Sequence, residues 1–196
     1  MKTVDFYFDF ISPFAYLASV QVPKLAKQYN VNFALHPIDL FAAKQAAGNT
    51  GPSNREIPAK ITYLMADLQR WARRYDVPFA FPKGFDTAGL NRGFLWAKTQ
   101  GAADRYFHSA YAEVWARGGD PADLELLRAA AEAAGLSADE FLRGIDSPPI
   151  LQAYDQENRE AQARGVFGVP IFIVDDQMFW GNDRIMFLEE YLRGQS

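Results

Sequence analysis

Thr3-Val4-Asp5-Phe6-Tyr7-Phe8-Asp9-Phe10-Ile11-Ser12-Pro13-Phe14 is the stretch whose reading decides the fold. From Thr3 to Phe10 the residues alternate and are rich in Val, Phe and Tyr, as a buried, pleated strand requires. Ile11-Ser12-Pro13 breaks that pattern. Ser12 suits an N-cap, whose hydroxyl oxygen accepts a free N–H of the first turn, and Pro13 suits the first helical position, where a missing N–H costs nothing. The apolar residues Phe14, Leu17, Ala18, Val22 and Leu25 then recur at helical spacing, with Pro23 expected to kink that helix or shift it. Val31 to Ile38 reads as a second strand. Strand, helix of crossover length and strand make a βαβ unit, parallel and right-handed by default.

From Asp39 to about Ser147 the strand signals vanish. Helical periodicity covers Pro58 to Tyr75, Thr87 to Thr99, Ala103 to Ala116, Ala122 to Ala134 and Ala138 to Ile145, set off by loops such as Gly48-Asn49-Thr50-Gly51-Pro52. Pro148 to Arg164 gives a further helix that Gly165 ends. Pro170 to Val174 and Gln177 to Trp180 flank Asp175-Asp176 as a β-hairpin, and Asn182-Asp183 read as caps of a last helix, Arg184 to Arg193. The element order is βαβ, helical insertion, αββα. The expected partition is residues 1–40 with 147–196 as one α/β domain, and 41–146 as an all-helical insertion.

Composition narrows the chemistry. The 196 residues are 49% hydrophobic and 22% charged, enough for a full core, and 20 basic against 24 acidic residues leave no basic footprint for nucleic acid. Met1-Lys2-Thr3-Val4-Asp5 puts an acid where a secretory apolar region begins, and no segment has the apolar length of a membrane span, so a soluble cytoplasmic protein is expected. There is no cysteine, which excludes disulfides, thiolate metal sites, Cys nucleophiles and protein-borne dithiol chemistry. Any sulfur chemistry therefore needs sulfur from a ligand. The two histidines, His36 and His108, form no H-x-x-x-H spacing, and no metal is expected.

Four blocks carry a resemblance. Asp5-Phe6-Tyr7-Phe8-Asp9-Phe10-Ile11-Ser12-Pro13 resembles a D-F-x-x-D-x-x-S-P signature; Gly51-Pro52-Ser53-Asn54-Arg55 with Asp67-Leu68-Gln69-Arg70-Trp71 forms the middle block. Gly168-Val169-Pro170 is similar to a cis-proline loop, and Trp180-Gly181-Asn182-Asp183-Arg184 to a glutathione-binding turn. Together they resemble the 2-hydroxychromene-2-carboxylate isomerases and their kin, the kappa-class glutathione transferases, within the DsbA-like branch of thioredoxin-like proteins. The resemblance spans nearly the whole chain and implies a thioredoxin-like α/β fold with a large helical insertion, glutathione as cofactor, and a homodimer.

In dithiol enzymes of that fold the first helix opens with C-x-x-C, whereas this chain has Ser12-Pro13-Phe14-Ala15. The resemblance makes Ser12 the catalytic residue, hydrogen-bonding the glutathione thiolate. A thiol of pKa near ~8.5 is only about 3% ionised at neutral pH, and lowering it by about two requires about 2.7 kcal/mol. A hydrogen bond to an anion contributes roughly 1.5–3 kcal/mol and a helix N-terminus roughly 0.3–1, so one serine suffices. By the same resemblance, Val169 and Pro170, across a cis bond, present backbone groups to the cysteinyl unit; Trp180, Gly181 and Asn182 form a wall, and Asp183 meets the γ-glutamyl ammonium. Lys44, Asn54 and Arg55 are implied to bind the substrate, with Lys44 and Arg55 on its carboxylate and Phe85 as an apolar contact.

The implied reaction converts 2-hydroxychromene-2-carboxylate, or a close aromatic analogue, to trans-o-hydroxybenzylidenepyruvate through a transient glutathione adduct. A kappa-type transferase releasing the adduct and a non-catalytic thioredoxin-like binding module are the alternatives. A serine hydrolase finds no G-x-S-x-G elbow around Ser12. From the residues alone, Ser12 as a plain N-cap stays open.

Overall fold

The structure is a computed structural model describing residues 1–54 and 56–194. Strand β1 (Thr3–Phe8) lies inside a four-stranded sheet of order β2-β1-β3-β4. It pairs in parallel with β2 (Asn32–Pro37), from Thr3↔Asn32 to Phe8↔Pro37, and antiparallel with β3 (Ile171–Val174), with Tyr7 opposite Ile171. β4 (Gln177–Trp180) closes the hairpin on β3 and forms an edge.

The crossover between β1 and β2 is two helices, α1 (Pro13–Ser19) and α2 (Val22–Tyr29). Pro23 thus breaks the expected helix, because it has no N–H for the Ser19 carbonyl and its ring crowds that carbonyl. After β2, Asp39 caps a short helix the sequence pattern does not announce, α3 (Leu40–Ala46), its carboxylate accepting from Phe41 N at 2.8 Å and Ala42 N at 3.0 Å. Then come α4 (Pro58–Tyr75), α5 (Ala88–Thr99) and α6 (Ala103–Tyr111), which continues into a π-helical turn, Ala112–Ala116. α7 (Leu124–Ala133), α8 (Ala138–Gly144) and α9 (Pro148–Ala163) precede β3, and a 3-10 turn (Asn182–Arg184) leads into α10 (Ile185–Gly194).

Alternation along β1 assigns its two faces. Val4, Phe6 and Phe8 are fully buried and face the larger core, with α1, α2, α10 and the insertion; Tyr7 joins Ile38, Leu40, Ala161, Val166 and Ile171 under α3 and α9. The insertion docks through aromatic rings: Phe8 meets Phe107 of α6 edge-on at 4.8 Å between centroids, and Phe10 meets Tyr111 at 4.7 Å. Truncating one such ring costs about 3–5 kcal/mol, so the contact is worth a large fraction of a domain's stability. The core therefore runs unbroken through both expected parts of the chain.

α9 is held to the opposite face by a polar cluster. His36 on β2 places Nδ1 2.9 Å from Glu157 of α9 and Nε2 3.1 Å from Asp5 of β1. Arg164, at the end of α9, donates to Asp5 and to the Tyr7 hydroxyl, each at 2.7 Å, and the Tyr7 ring stacks on His36. Burial disfavours the charged imidazole, but Glu157 and then Asp5 outweigh it and raise the His36 pKa above its ordinary value. Among the described residues no helix is long and apolar enough to cross a membrane.

Candidate active site

The sheet brings three separate segments to one end. Ser12 caps α1 directly after β1; its hydroxyl oxygen accepts from Ala15 N at 3.2 Å, and the residue is 4% exposed. The register Tyr7↔Ile171 sets Pro170 beside the end of β1, and the Val169–Pro170 bond is cis. The turn after β4 closes back on this loop, Gly181 N donating to Pro170 O at 2.9 Å, and the following 3-10 turn packs against α1. Ser12, Val169, Pro170 and residues 180–183 are thus neighbours through these contacts.

Within that turn the roles differ from caps. Gly181 has φ of +111°, and a Cβ there would come 2.6 Å from Asp183 Oδ1, so the turn favours glycine. Among the described residues the Asp183 carboxylate pairs with Arg184 and accepts no capping bond, which corrects the reading of Asn182-Asp183 as helix caps. The helix is entered instead through the 3-10 turn, whose capping position is Gly181. Asn182 is 2% exposed beside Tyr75, and neither its amide nitrogen nor its oxygen reaches a hydrogen-bond partner of good geometry among the described residues. An unpaired buried amide costs about 1–3 kcal/mol, which a polar ligand would recover. Trp180, 55% exposed, leans on Phe167 at 4.9 Å between ring centroids.

The second group of expected residues is more dispersed. Lys44 sits half-buried in the last turn of α3, and Asn54 is exposed in the connection before α4; Arg55 lies outside the described residues. Phe85, 41% exposed, lines a cavity of about 210 Å³ with Phe41, Asp39, Asp86, Thr87, Tyr154 and Asp9. Sequence reasoning missed Asp9, Thr87, Asn91 and Tyr154. The one signal was Asp9 itself, an acid at a strand end among aromatics. Its carboxylate is 3% exposed and is pushed upward in pKa by burial, against hydrogen bonds from Thr87, Leu40 N, Asn91 and Ile11 N.

Residues 3–193 match the DSBA-like thioredoxin domain. A 2-hydroxychromene-2-carboxylate isomerase of Sphingobium xenophagum is 49% identical over 97% of this chain and 98% of its own. The chain belongs to the 2-hydroxychromene-2-carboxylate isomerase family. A solved 2-hydroxychromene-2-carboxylate isomerase structure superposes on this family member with a TM-score of 0.94, at 38% identity, covering 98% of this chain and 95% of that one. Human glutathione S-transferase kappa 1 is 29% identical over 97% of this chain and 91% of its own. The family places the protein among isomerases, and the thioredoxin-like α/β fold stands as expected.

Proposed function

We propose that this protein isomerises 2-hydroxychromene-2-carboxylate, or a close aromatic analogue, to trans-o-hydroxybenzylidenepyruvate with glutathione as cofactor. The observation that carries the reading is the meeting of Ser12, the cis-proline loop and the 180–183 turn at one end of the sheet. The residues there fit a glutathione. The unpaired Asn182 amide offers a donor and an acceptor to the γ-glutamyl backbone, and the exposed Asp183 carboxylate offers a charge to its ammonium. Val169 offers backbone groups to the cysteinyl unit in the manner of an added strand. Glutathione, when bound, supplies a thiolate that adds to the unsaturated ring carbon and is later eliminated, so it is not consumed.

Ser12 donates its hydroxyl proton to that sulfur, since its oxygen is already an acceptor for Ala15 N. Substrate polarity follows from charge. Asp9, Asp39 and Asp86 line the cavity beside Phe85 and repel a carboxylate, so the aromatic end faces Phe85 and Phe41 while the carboxylate turns to Lys44 and Arg55. Asn54 supports the same end. We place the enzyme in the cytoplasm, where glutathione is abundant, as a homodimer; exposed Met186 and Phe187 are apolar surface for a second copy to cover.

The test is to supply glutathione well below the substrate concentration and follow the ring-opened product by absorbance. Full conversion is expected. Glutathione consumed one for one would instead make the protein a kappa-type transferase, and turnover indifferent to glutathione would remove the cofactor assignment.

A further inference from the structure

The loop that presents Ser12 is fastened by hydrogen bonds within itself, from Leu40, and from four side chains of the helical insertion. Asp9 O accepts from Ser12 N at 3.0 Å and from the Tyr111 hydroxyl at 3.2 Å. Phe10 N donates to Asn91 Oδ1 at 3.3 Å, and Phe10 O accepts from Trp115 Nε1 at 2.7 Å. At the centre is the Asp9 carboxylate. Its Oδ1 accepts from Ile11 N at 3.1 Å, Thr87 Oγ1 at 2.6 Å and Asn91 Nδ2 at 2.9 Å, and its Oδ2 accepts from Leu40 N at 2.9 Å.

Two features separate this arrangement from ordinary core polarity. Among the described residues no cation pairs with this buried carboxylate, a costly choice for stability alone, since apolar groups of similar volume usually do as well. Thr87 also occupies the N-cap position of α5, where its side chain makes no capping bond, while its hydroxyl donates to Asp9.

We propose that Asp9, Thr87 and Asn91 are positioning residues: they clamp the Asp9–Ser12 loop to α5 so that the Ser12 hydroxyl is held at hydrogen-bonding distance from the thiol sulfur. The inference rests on the reading of Ser12 as thiolate partner and adds the insertion's part in it. A hydroxyl displaced by about 1 Å loses most of an aligned hydrogen bond, and misplacements of that size lower rates by up to about a hundredfold.

The experiment uses the full chain with Thr87→Val, which keeps the shape and removes the hydroxyl, and Thr87→Ser, which restores it. Ser109→Ala serves as a stability control, since Ser109 bonds Ala130 O at 2.7 Å within the insertion, away from Ser12. The readouts are the pKa of the bound glutathione thiol, from thiolate ultraviolet absorbance, and the affinity for S-methylglutathione, which has no thiol. Thr87→Val should raise the bound thiol pKa by about one, about a threefold loss of thiolate at pH 7 from a parent near ~6.5, with S-methylglutathione affinity within about twofold of the parent. Thr87→Ser and Ser109→Ala should match the parent thiol. A Thr87→Val thiol pKa equal to a depressed parent value would overturn the clamp alone, as would an equal rise in Ser109→Ala. A parent protein that leaves the thiol pKa at its solution value would overturn the clamp and the Ser12 assignment together.

Discussion

Replacing Ser12 with alanine separates a helix cap from a thiolate donor, because the two roles carry different magnitudes in different assays. The cap is a single acceptor bond from Ala15 N at 3.2 Å, toward the long end for N–H···O, so its loss should cost about 1 kcal/mol. For a chain of 196 residues that lowers Tm by about 2–4 °C. The loop survives, since Ser12 N still donates to Asp9 O and Tyr16 N to Ser12 O. The thiolate bond is worth roughly 1.5–3 kcal/mol, or about one to two in thiol pKa. The Ala15 N–H freed by the substitution turns into a rival donor, which favours the lower half of that range. With a parent thiol near ~6.5, activity at neutral pH should therefore fall about threefold to eightfold and converge on the parent rate as pH rises past the thiol pKa. Steady-state rates across pH, beside thermal melts, measure both effects. Superimposable pH–rate profiles for the two proteins would refute the thiolate role and leave Ser12 a cap.

Asp183→Asn should weaken glutathione binding about tenfold to a hundredfold by removing the charge offered to the ammonium, with Tm nearly unchanged because Asp183 caps no helix; calorimetric titration beside a thermal melt checks this. His36→Gln should flatten the pH dependence of stability. The raised pKa makes the His36 contribution complete below the unfolded value near ~6.5 and lost as pH rises through the higher folded value, so the parent-minus-variant Tm difference should shrink as pH rises above about 6.5. Gly93→Ala should destabilise by about 1–3 kcal/mol, because a Cβ there collides with the Tyr106 hydroxyl and the Phe141 ring, both fully buried; denaturant unfolding would show it.

What the sequence could show was what repeats locally. The alternation of Val4, Phe6 and Phe8 is a period of two, and the α4 and α9 stripes are periods near 3.6, so strands and long helices stand out. α3 did not, because seven residues, three of them alanine, carry too little periodicity, and its start depends on the Asp39 cap. Pro23 announced a disturbance but not whether the helix would bend or stop. The Ser12, Pro170 and 180–183 segments were legible as motifs. Their meeting was not, since it depends on β1 pairing with a strand near the far end of the chain. The Asp9 clamp was least legible: in the sequence Thr87 and Asn91 are only polar members of a helical stretch, and only tertiary packing turns both toward a residue some eighty positions earlier.

The strand order β2-β1-β3-β4 also sets a timetable for synthesis. β1 and β2 can pair as soon as the first forty or so residues leave the ribosome, but the other edge of β1 waits for residues 171–174. Until then a strand destined for the sheet interior presents open backbone groups and three phenylalanine or valine side chains to its neighbours, the kind of edge that invites pairing between chains. Phe107 and Tyr111, which meet Phe8 and Phe10 in the folded chain, leave the ribosome before β3 does. The serine is made early and its partner loop last, so a prematurely terminated product carries the hydroxyl with nothing across from it.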